Sequence, residues 1–366
     1  MKRIKKTLSL SLLTLLAAPP LAGADSNNTT LYGQTRLSVD SVDNDEDRVE
    51  KVADTESRLG VKGFEVIGNG LKAVFQLEVA VNLDDGAGTT GTLFGRGRNS
   101  YVGLESGFGT VGLGIYNSPY RETTDKIDVF GSSLADHNTI IGNVGNGNTA
   151  AEFNLREPNT INYWSPKFKG LSFSGQYRLD ETAGIDQDHY SAAAFYENGP
   201  LYAALGYELH GSEGSPVDPD GAGPLPAVGT NDTESLKFGV AYAFNADKTR
   251  VGFVYDRISE DDADTAFDRD AVYVNLSHKL GNNVFKVGYA RAFESDAAVG
   301  NDGADFYFAG LSHNLSKRTE VYGLYAATSN DDNGRFGLGN STGGQTPASA
   351  PGTNLNGVSL GIIHKF

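Results

Sequence analysis

Arg36, Arg58, Lys62 and Arg98 each fall in a segment where apolar and polar residues alternate, on or near its polar parity, while Asp128, Asp136 and Arg156 lie in one long polar stretch, residues 116–159. Cations on one surface facing carboxylates on another set up a transverse field, and across a water-filled gap such a field sorts small solutes by charge. A structureless connection of this length is itself a sign of function. The stretch also holds Arg121, Glu122, Asp125, His137, Glu152 and Glu157, so it carries charge of both signs.

Other arrangements suggest enzymes, and each has a blander explanation. Gly107-x-Gly109-x-x-Gly112 fits the dinucleotide-binding spacing, but no strand-then-helix context surrounds it and it reads as a hairpin turn. His137 has Ser132, Ser133 and Asp136 nearby, the residue types of a hydrolase, yet sequence neighbours do not make a triad. The remaining histidines, His189, His210, His278, His313 and His364, show no His-x-x-x-His or His-x-x-Glu-His spacing. Cysteine is absent, which removes disulfides, thiol chemistry and thiolate metal sites. The expectation is a chain with no catalytic residues, no cofactor and no metal.

The elements that must position the charges are strands. Leu31, Gly33, Thr35, Leu37 and Val39 share one face of a segment whose other face is Tyr32, Gln34, Arg36 and Ser38. Leu71, Ala73, Phe75, Leu77, Val79 and Val81 repeat the pattern, as do Leu201, Ala203, Leu205, Tyr207 and Leu209. Runs of about nine to eleven residues match a tilted strand crossing a bilayer, whereas strands of soluble sandwiches average about five or six. Parity then assigns the cations: if Leu31, Leu37, Leu59 and Val61 face lipid, then Arg36, Arg58 and Lys62 face inward, and so does Arg178. Placing an arginine or lysine on the lipid side would cost roughly 2–4 kcal/mol near the midplane.

Short turns, such as Gly68-Asn69-Gly70, Asn198-Gly199-Pro200 and Gly281-Asn282-Asn283, alternate with long polar stretches near 40–56, 82–95, 116–159, 211–232, 260–268, 295–303 and 329–353. Counting hairpins gives an all-β fold: a transmembrane antiparallel up-and-down β-barrel of about 16 strands, with a lumen wide enough for water. The ends of the chain agree. Lys2, Arg3, Lys5 and Lys6 precede a short apolar run and Ala22-Gly23-Ala24, which reads as a signal peptide over residues 1–24 and leaves one barrel domain over 25–366. The last residue, Phe366, closes an alternating strand, as in bacterial outer-membrane barrels.

Composition narrows the partners. The formal charge of −16 becomes −20 once Lys2, Arg3, Lys5 and Lys6 are removed, so no basic footprint for nucleic acid exists. Acids gather in loop-like segments, among them Asp43, Asp45, Glu46 and Asp47, where they are solvated or bridge to neighbouring lipopolysaccharide through divalent cations. A mean hydropathy of −0.33 suits a barrel, in which only alternate residues meet lipid.

Leu31-Tyr32-Gly33, Ser57-Arg58-Leu59-Gly60-Val61-Lys62-Gly63, Arg98-Asn99-Ser100-Tyr101-Val102-Gly103-Leu104, Gly107-Phe108-Gly109, Asn159-Thr160-Ile161-Asn162-Tyr163 and the terminal Phe366 occur in the order found in a known family. With them the chain resembles the general diffusion porins of Gram-negative bacteria, most of all the neisserial and β-proteobacterial type. The resemblance implies a homotrimer of sixteen-stranded barrels in the outer membrane, each with its third external loop folded into the lumen. It further implies passive passage of ions and small hydrophilic solutes. Arg36, Arg58, Lys62, Arg98 and Arg156 would then face Asp128 and Asp136 across the constriction. A substrate-specific channel, for an anion or a small organic solute, is the alternative; it would need an aromatic track or a continuous basic ladder, and Tyr and Phe mostly fall on the lipid parity or at strand ends.

Overall fold

The computed structural model describes residues 28–84, 93–145, 153–179, 189–211, 232–260, 267–297, 299–339, 346, 348 and 350–366. The expected signal peptide and Glu152 lie outside them. Eighteen strands are present among the described residues: β1 (Asn28–Asp43), β2 (Arg48–Asp54), β3 (Arg58–Gly68), β4 (Leu71–Val81), β5 (Phe94–Gly97), β6 (Ser100–Ser106), β7 (Gly109–Asn117), β8 (Arg156–Trp164) and β9 (Leu171–Arg178) in the first half. The second half has β10 (His189–Asn198), β11 (Leu201–His210), β12 (Thr233–Phe244), β13 (Thr249–Glu260), β14 (Phe267–Leu280), β15 (Asn283–Ala292), β16 (Ala304–Asn314), β17 (Thr319–Asn330) and β18 (Leu355–Lys365).

Every neighbouring pair is antiparallel, and β18 returns to β1 to close the cylinder. Two staves are interrupted. β2 and β3 pair in succession with β1, and β5 and β6 pair in succession with β4, so eighteen segments make a sixteen-strand barrel. Closure leaves no edge, which is what lets a sheet sit in hydrocarbon with every ladder group bonded. At the seam the Phe366 amide and carbonyl both bond Gly33, at 3.1 Å each. A Cβ at Gly33 would lie 2.5 Å from the Phe366 ring, so the terminal aromatic packs where only glycine leaves room.

The outward parity is apolar from stave to stave: Leu31, Leu77, Val102, Leu205, Val287 and Leu360 are all exposed. One connection is shorter than its polarity suggests. Residues 40–56 read as a loop, yet β1 runs to Asp43 and β2 starts at Arg48, because Arg48 pairs with Asp43 at 3.2 Å and the Asn44 side chain accepts from the amides of Glu46 and Asp47. Charge there marks a hairpin that stands clear of the membrane. A further long connection follows β9, where residues 180–188 are outside the described set.

The core lies inside the cylinder, on one side of it. The third loop leaves β7, makes a single helical turn α1 (Pro119–Glu122) capped by Ser118, and turns again at His137–Thr139 before rejoining the wall at β8. Its Ile127, Phe130, Leu134, Ile140 and Ile141 pack on Tyr202, Val254, Tyr273, Phe308 and Tyr322 of the later wall. Each such fully buried side chain contributes about 1.5–3 kcal/mol. Polar anchors fix the register: Tyr120 donates to Asp256 at 2.5 Å, Tyr202 donates to the Thr123 carbonyl at 2.8 Å, and Asn275 donates to the Ile127 carbonyl at 3.0 Å. The seat is floored by glycine. A Cβ at Gly239 or Gly252 would come within 2.5 or 2.7 Å of Ile127.

Many tyrosines and phenylalanines are exposed on the outer face or at strand ends, and the inward faces of the later staves hold the exceptions. Tyr202, Tyr273, Phe306, Phe308 and Tyr322 are all buried within the barrel.

Candidate functional site

The two interrupted staves place the charges. Between β2 and β3 the chain turns through Glu56, whose φ of 123° is one that L-residues rarely adopt, at a cost of about 1–3 kcal/mol. Asp54 holds the turn by accepting from the amides of Glu56 and Ser57, and the Ser57 hydroxyl accepts from the Arg36 amide at 2.8 Å in place of a ladder bond. The second gap is built alike. Between β5 and β6 the Ser100 hydroxyl accepts from the Glu78 amide at 3.0 Å, while the Arg98 amide donates to the Glu78 carbonyl at 2.7 Å.

Freed from the pleat, these residues meet in the lumen. Arg98 donates through Nε to Glu78 at 2.7 Å and through Nη2 to Glu56 at 3.4 Å. Arg58 reaches the same two carboxylates, at 3.2 Å for Glu56 and 3.8 Å for Glu78. Arg121 of the third loop stands 3.9 Å from Glu56. Arg156 donates to Asn99 at 2.8 Å and lies beside Arg98 and Arg121. Three guanidinium groups thus pair with two carboxylates, and a fourth, that of Arg156, lies beside them. Burial alone would push the Glu56 carboxyl up, but Arg98, Arg121 and Arg58 hold it well below the usual carboxylate range, so it stays charged. Tyr32 completes the set: its ring lies on Gly60, where a Cβ would be 2.4 Å away, and its hydroxyl donates to Glu78 at 3.0 Å.

Arg58, Arg98 and Arg156 lie together in this cluster. Arg36 faces inward but stands apart, its guanidinium 5.9 Å from the Tyr322 ring and near Lys286. Lys62 lies over the Tyr32 ring at 5.1 Å, towards the short-turn end. Arg178 is inward and paired with Glu157 at 2.9 Å. Asp128 and Asp136 are elsewhere than expected. They are held within the third loop, Asp128 half-buried and Asp136 buried: Asp128 accepts from the Phe130 amide and meets His137 at 3.0 Å, and Asp136 accepts from the amides of Ser132 and Asn138. Among the described residues of the loop, Glu122 is half-buried and Asp125 is exposed.

Glu56 and Glu78 were not singled out in the sequence. Glu78 shares its parity with Gln76 on a strand whose other face is apolar, a signal of inward placement, whereas nothing local announces that Glu56 interrupts a stave. The hydrolase-like set resolves into loop architecture, with Ser133 donating to the Phe130 carbonyl at 2.5 Å. Gly107 and Gly109 form the β6–β7 hairpin, closed by Ser106 opposite Gly109. Below the arginines, Tyr101, Tyr116 and Trp164 pack on one another inside the lumen with ring centroids 4.8–5.6 Å apart.

A closed sixteen-strand barrel with an inward third loop and a charged opposing wall has known counterparts. The sequence profile of the Gram-negative porins matches residues 9–333. The chain is a Gram-negative porin. It is 31% identical over 339 residues to the major outer membrane protein P.IB of Neisseria gonorrhoeae, covering 86% of this porin and 91% of that one. It is 30% identical over 370 residues to outer membrane porin protein 32 of Delftia acidovorans, covering 98% and 99%. Among solved structures it resembles the anion-selective porin from Comamonas acidovorans at 27% identity, with a TM-score of 0.75 over 93% of this porin and 100% of the other. The porin is an integral outer-membrane protein and a diffusion channel.

Proposed function

We propose that this porin is a passive, anion-biased filter whose constriction lies between Arg58, Arg98 and Arg156 on the wall and Arg121, Glu122 and Asp125 on the third loop. The observation that carries the reading is that Arg58, Arg98 and Arg121 gather on the carboxylates of Glu56 and Glu78, with Arg156 held beside them by Asn99. A guanidinium-lined wall at the narrowest point lowers the barrier for anions that pass along it, because the local field and not the sign of the whole chain acts on them. Arg36 and Lys62 extend the basic surface along the lumen, and Asp128 and Asp136 act at one remove by shaping the loop. The anion selectivity named for the Comamonas acidovorans porin supports the same sign.

In this reading residues 1–24 direct export and are removed, leaving a barrel over 25–366. Three copies assemble, as in the trimer form solved for a Vibrio cholerae barrel of the same fold. Acidic hairpin tips face lipopolysaccharide outside, and transport is driven by concentration alone, with no catalytic step. Reconstitution in a planar bilayer tests this. Conductance should rise with salt without saturating, and the reversal potential in a salt gradient should have the anion sign. The lumen cluster of Tyr101, Tyr116 and Trp164 favours a second reading, a channel with preference for aromatic organic anions; saturation of current by one such solute would select it.

A further inference from the structure

Spacing scans look for ligands along one segment, and they miss pairs that strand register brings together. His189 and His210 are directly opposite one another on β10 and β11, both inward, and Glu208 shares their face two residues before His210. One residue, its neighbour at plus two and a cross-strand partner are the natural way for a sheet to present three side chains to one point. The Nε2 of His210 lies 2.9 Å from Glu208 Oε1, that of His189 lies 3.9 Å from the same oxygen, and a ligand atom from each of the three falls within 4.8 Å of the others. All of this lies outside the arginine cluster.

Glu208 is fully buried with its Oε2 unbonded, and the His189 Nε2, on a side chain also within the interior, has no hydrogen-bond partner. A buried carboxylate without a full complement of partners is costly, and the guanidinium nearby, Arg178, is already engaged with Glu157. Two imidazoles and one carboxylate are the donor set of a borderline divalent metal, held at about 2.0–2.2 Å with a fourth position left for water. We propose that His189, Glu208 and His210 form a site for a transition-metal ion of the zinc class.

The site would be coupled to the third loop. The two imidazoles stack at 4.4 Å and 24°, and Phe153 of the loop stacks on His210 at 4.5 Å. Parallel rings cannot both aim a nitrogen at one ion, so metal entry turns at least one ring about its side-chain torsions. Ser118, at the root of the loop, lies against Glu208. A bound ion therefore cross-links β10 to β11 beside both ends of the loop.

Titration of the refolded full-length barrel with Zn2+, read by calorimetry and by metal content after gel filtration, tests the proposal. One ion per chain is expected, with Mg2+ failing to compete, since a nitrogen-rich site disfavours it. Co2+ in place of Zn2+ should give the visible absorption of a nitrogen- and oxygen-ligated ion. His189→Ala and Glu208→Gln should each weaken binding by more than the roughly 10–100-fold that loss of an outer partner costs. Heat-resistant migration and circular dichroism identify variants that fold, and His210→Gln serves if His210→Ala does not. Binding that survives in folded His189→Ala, or no binding by the unaltered barrel beyond that of the double variant His189→Ala/His210→Ala, would overturn it. In that case a shared proton satisfies the cluster.

Discussion

On β1, β3 and β4 the inward positions include Gln34, Arg36, Arg58, Gln76 and Glu78, whereas on β11, β12 and β13 they include Tyr202, Ala204, Gly206, Gly239, Gly252 and Val254. Outward, the two regions are alike, with Leu31 and Leu77 on one and Leu205 and Leu236 on the other exposed to the bilayer. Lipid thus imposes one specification on all staves, and the interior divides into two. The early wall carries the arginine–carboxylate cluster; the later wall offers small and apolar positions on which a loop can pack, with the buried Glu208, Lys237 and Asp256 among them. Narrowing the lumen and charging it are separate tasks, assigned to opposite arcs of one cylinder.

Substitutions on the two arcs should therefore have different signatures, and the largest effect is expected on the apolar arc. Tyr120→Ala removes the ring buried between Phe153 and Lys237 and leaves Asp256 short of a donor. The cost should be about 3–5 kcal/mol of loop docking. Limited proteolysis should then cut within the third loop, and single-channel conductance should rise while the barrel keeps its β-sheet circular dichroism. An unchanged conductance would mean that the seat does not hold the loop.

Acid–base chemistry offers a second probe of the same arc. Burial alone would push the His137 imidazole down, but the Asp128 and Asp136 carboxylates raise it from 6.5 to about 9. The docked loop thus holds a proton that an undocked loop releases above about pH 6.5. This contribution is complete below that pH and is lost as pH climbs through about 9, on the order of 3 kcal/mol in all. Conductance noise and protease sensitivity should increase from about pH 6.5 to about pH 9 in the unaltered porin and not in His137→Gln, which lacks the titrating group.

On the charged arc, Glu78→Gln takes away one of the two carboxylates shared by Arg58 and Arg98. Loss of these charge-assisted bonds should cost about 1–3 kcal/mol, and anion preference should strengthen. Asp45→Ser, at an external hairpin tip, should leave selectivity nearly unchanged, because its charge is screened beyond about 8 Å at physiological salt. A shift from the tip variant matching that from the wall variant would erase the distinction between arcs.

The barrel was legible because lipid enforces period two, so the outward parity of Leu31, Leu77 and Leu205 is written directly in the sequence. Arg36, Arg58 and Lys62 followed by elimination, since lipid excludes them. The interior carries no such rule. Asp128 and Asp136 have the right charge in the right loop, yet amide groups and His137 claim them, and this depends on how the loop folds. Glu56 is inward because the stave breaks there, which alternation does not reveal. His189 and His210 stand at the open ends of two strands joined by the short turn at Gly199 and Pro200, and they meet only through cross-strand register, which no short ligand spacing along the chain reveals.

The central claim is that the arginine cluster, and not the overall negative charge, sets the sign of selectivity. Reversal potential across a tenfold KCl gradient, for the unaltered porin and for Arg98→Ser, tests it most directly. The account predicts an anion-preferring potential that moves towards cation preference in Arg98→Ser, with Arg58→Ser shifting it the same way. A cation-preferring potential in the unaltered porin, or one that neither substitution moves, would contradict it.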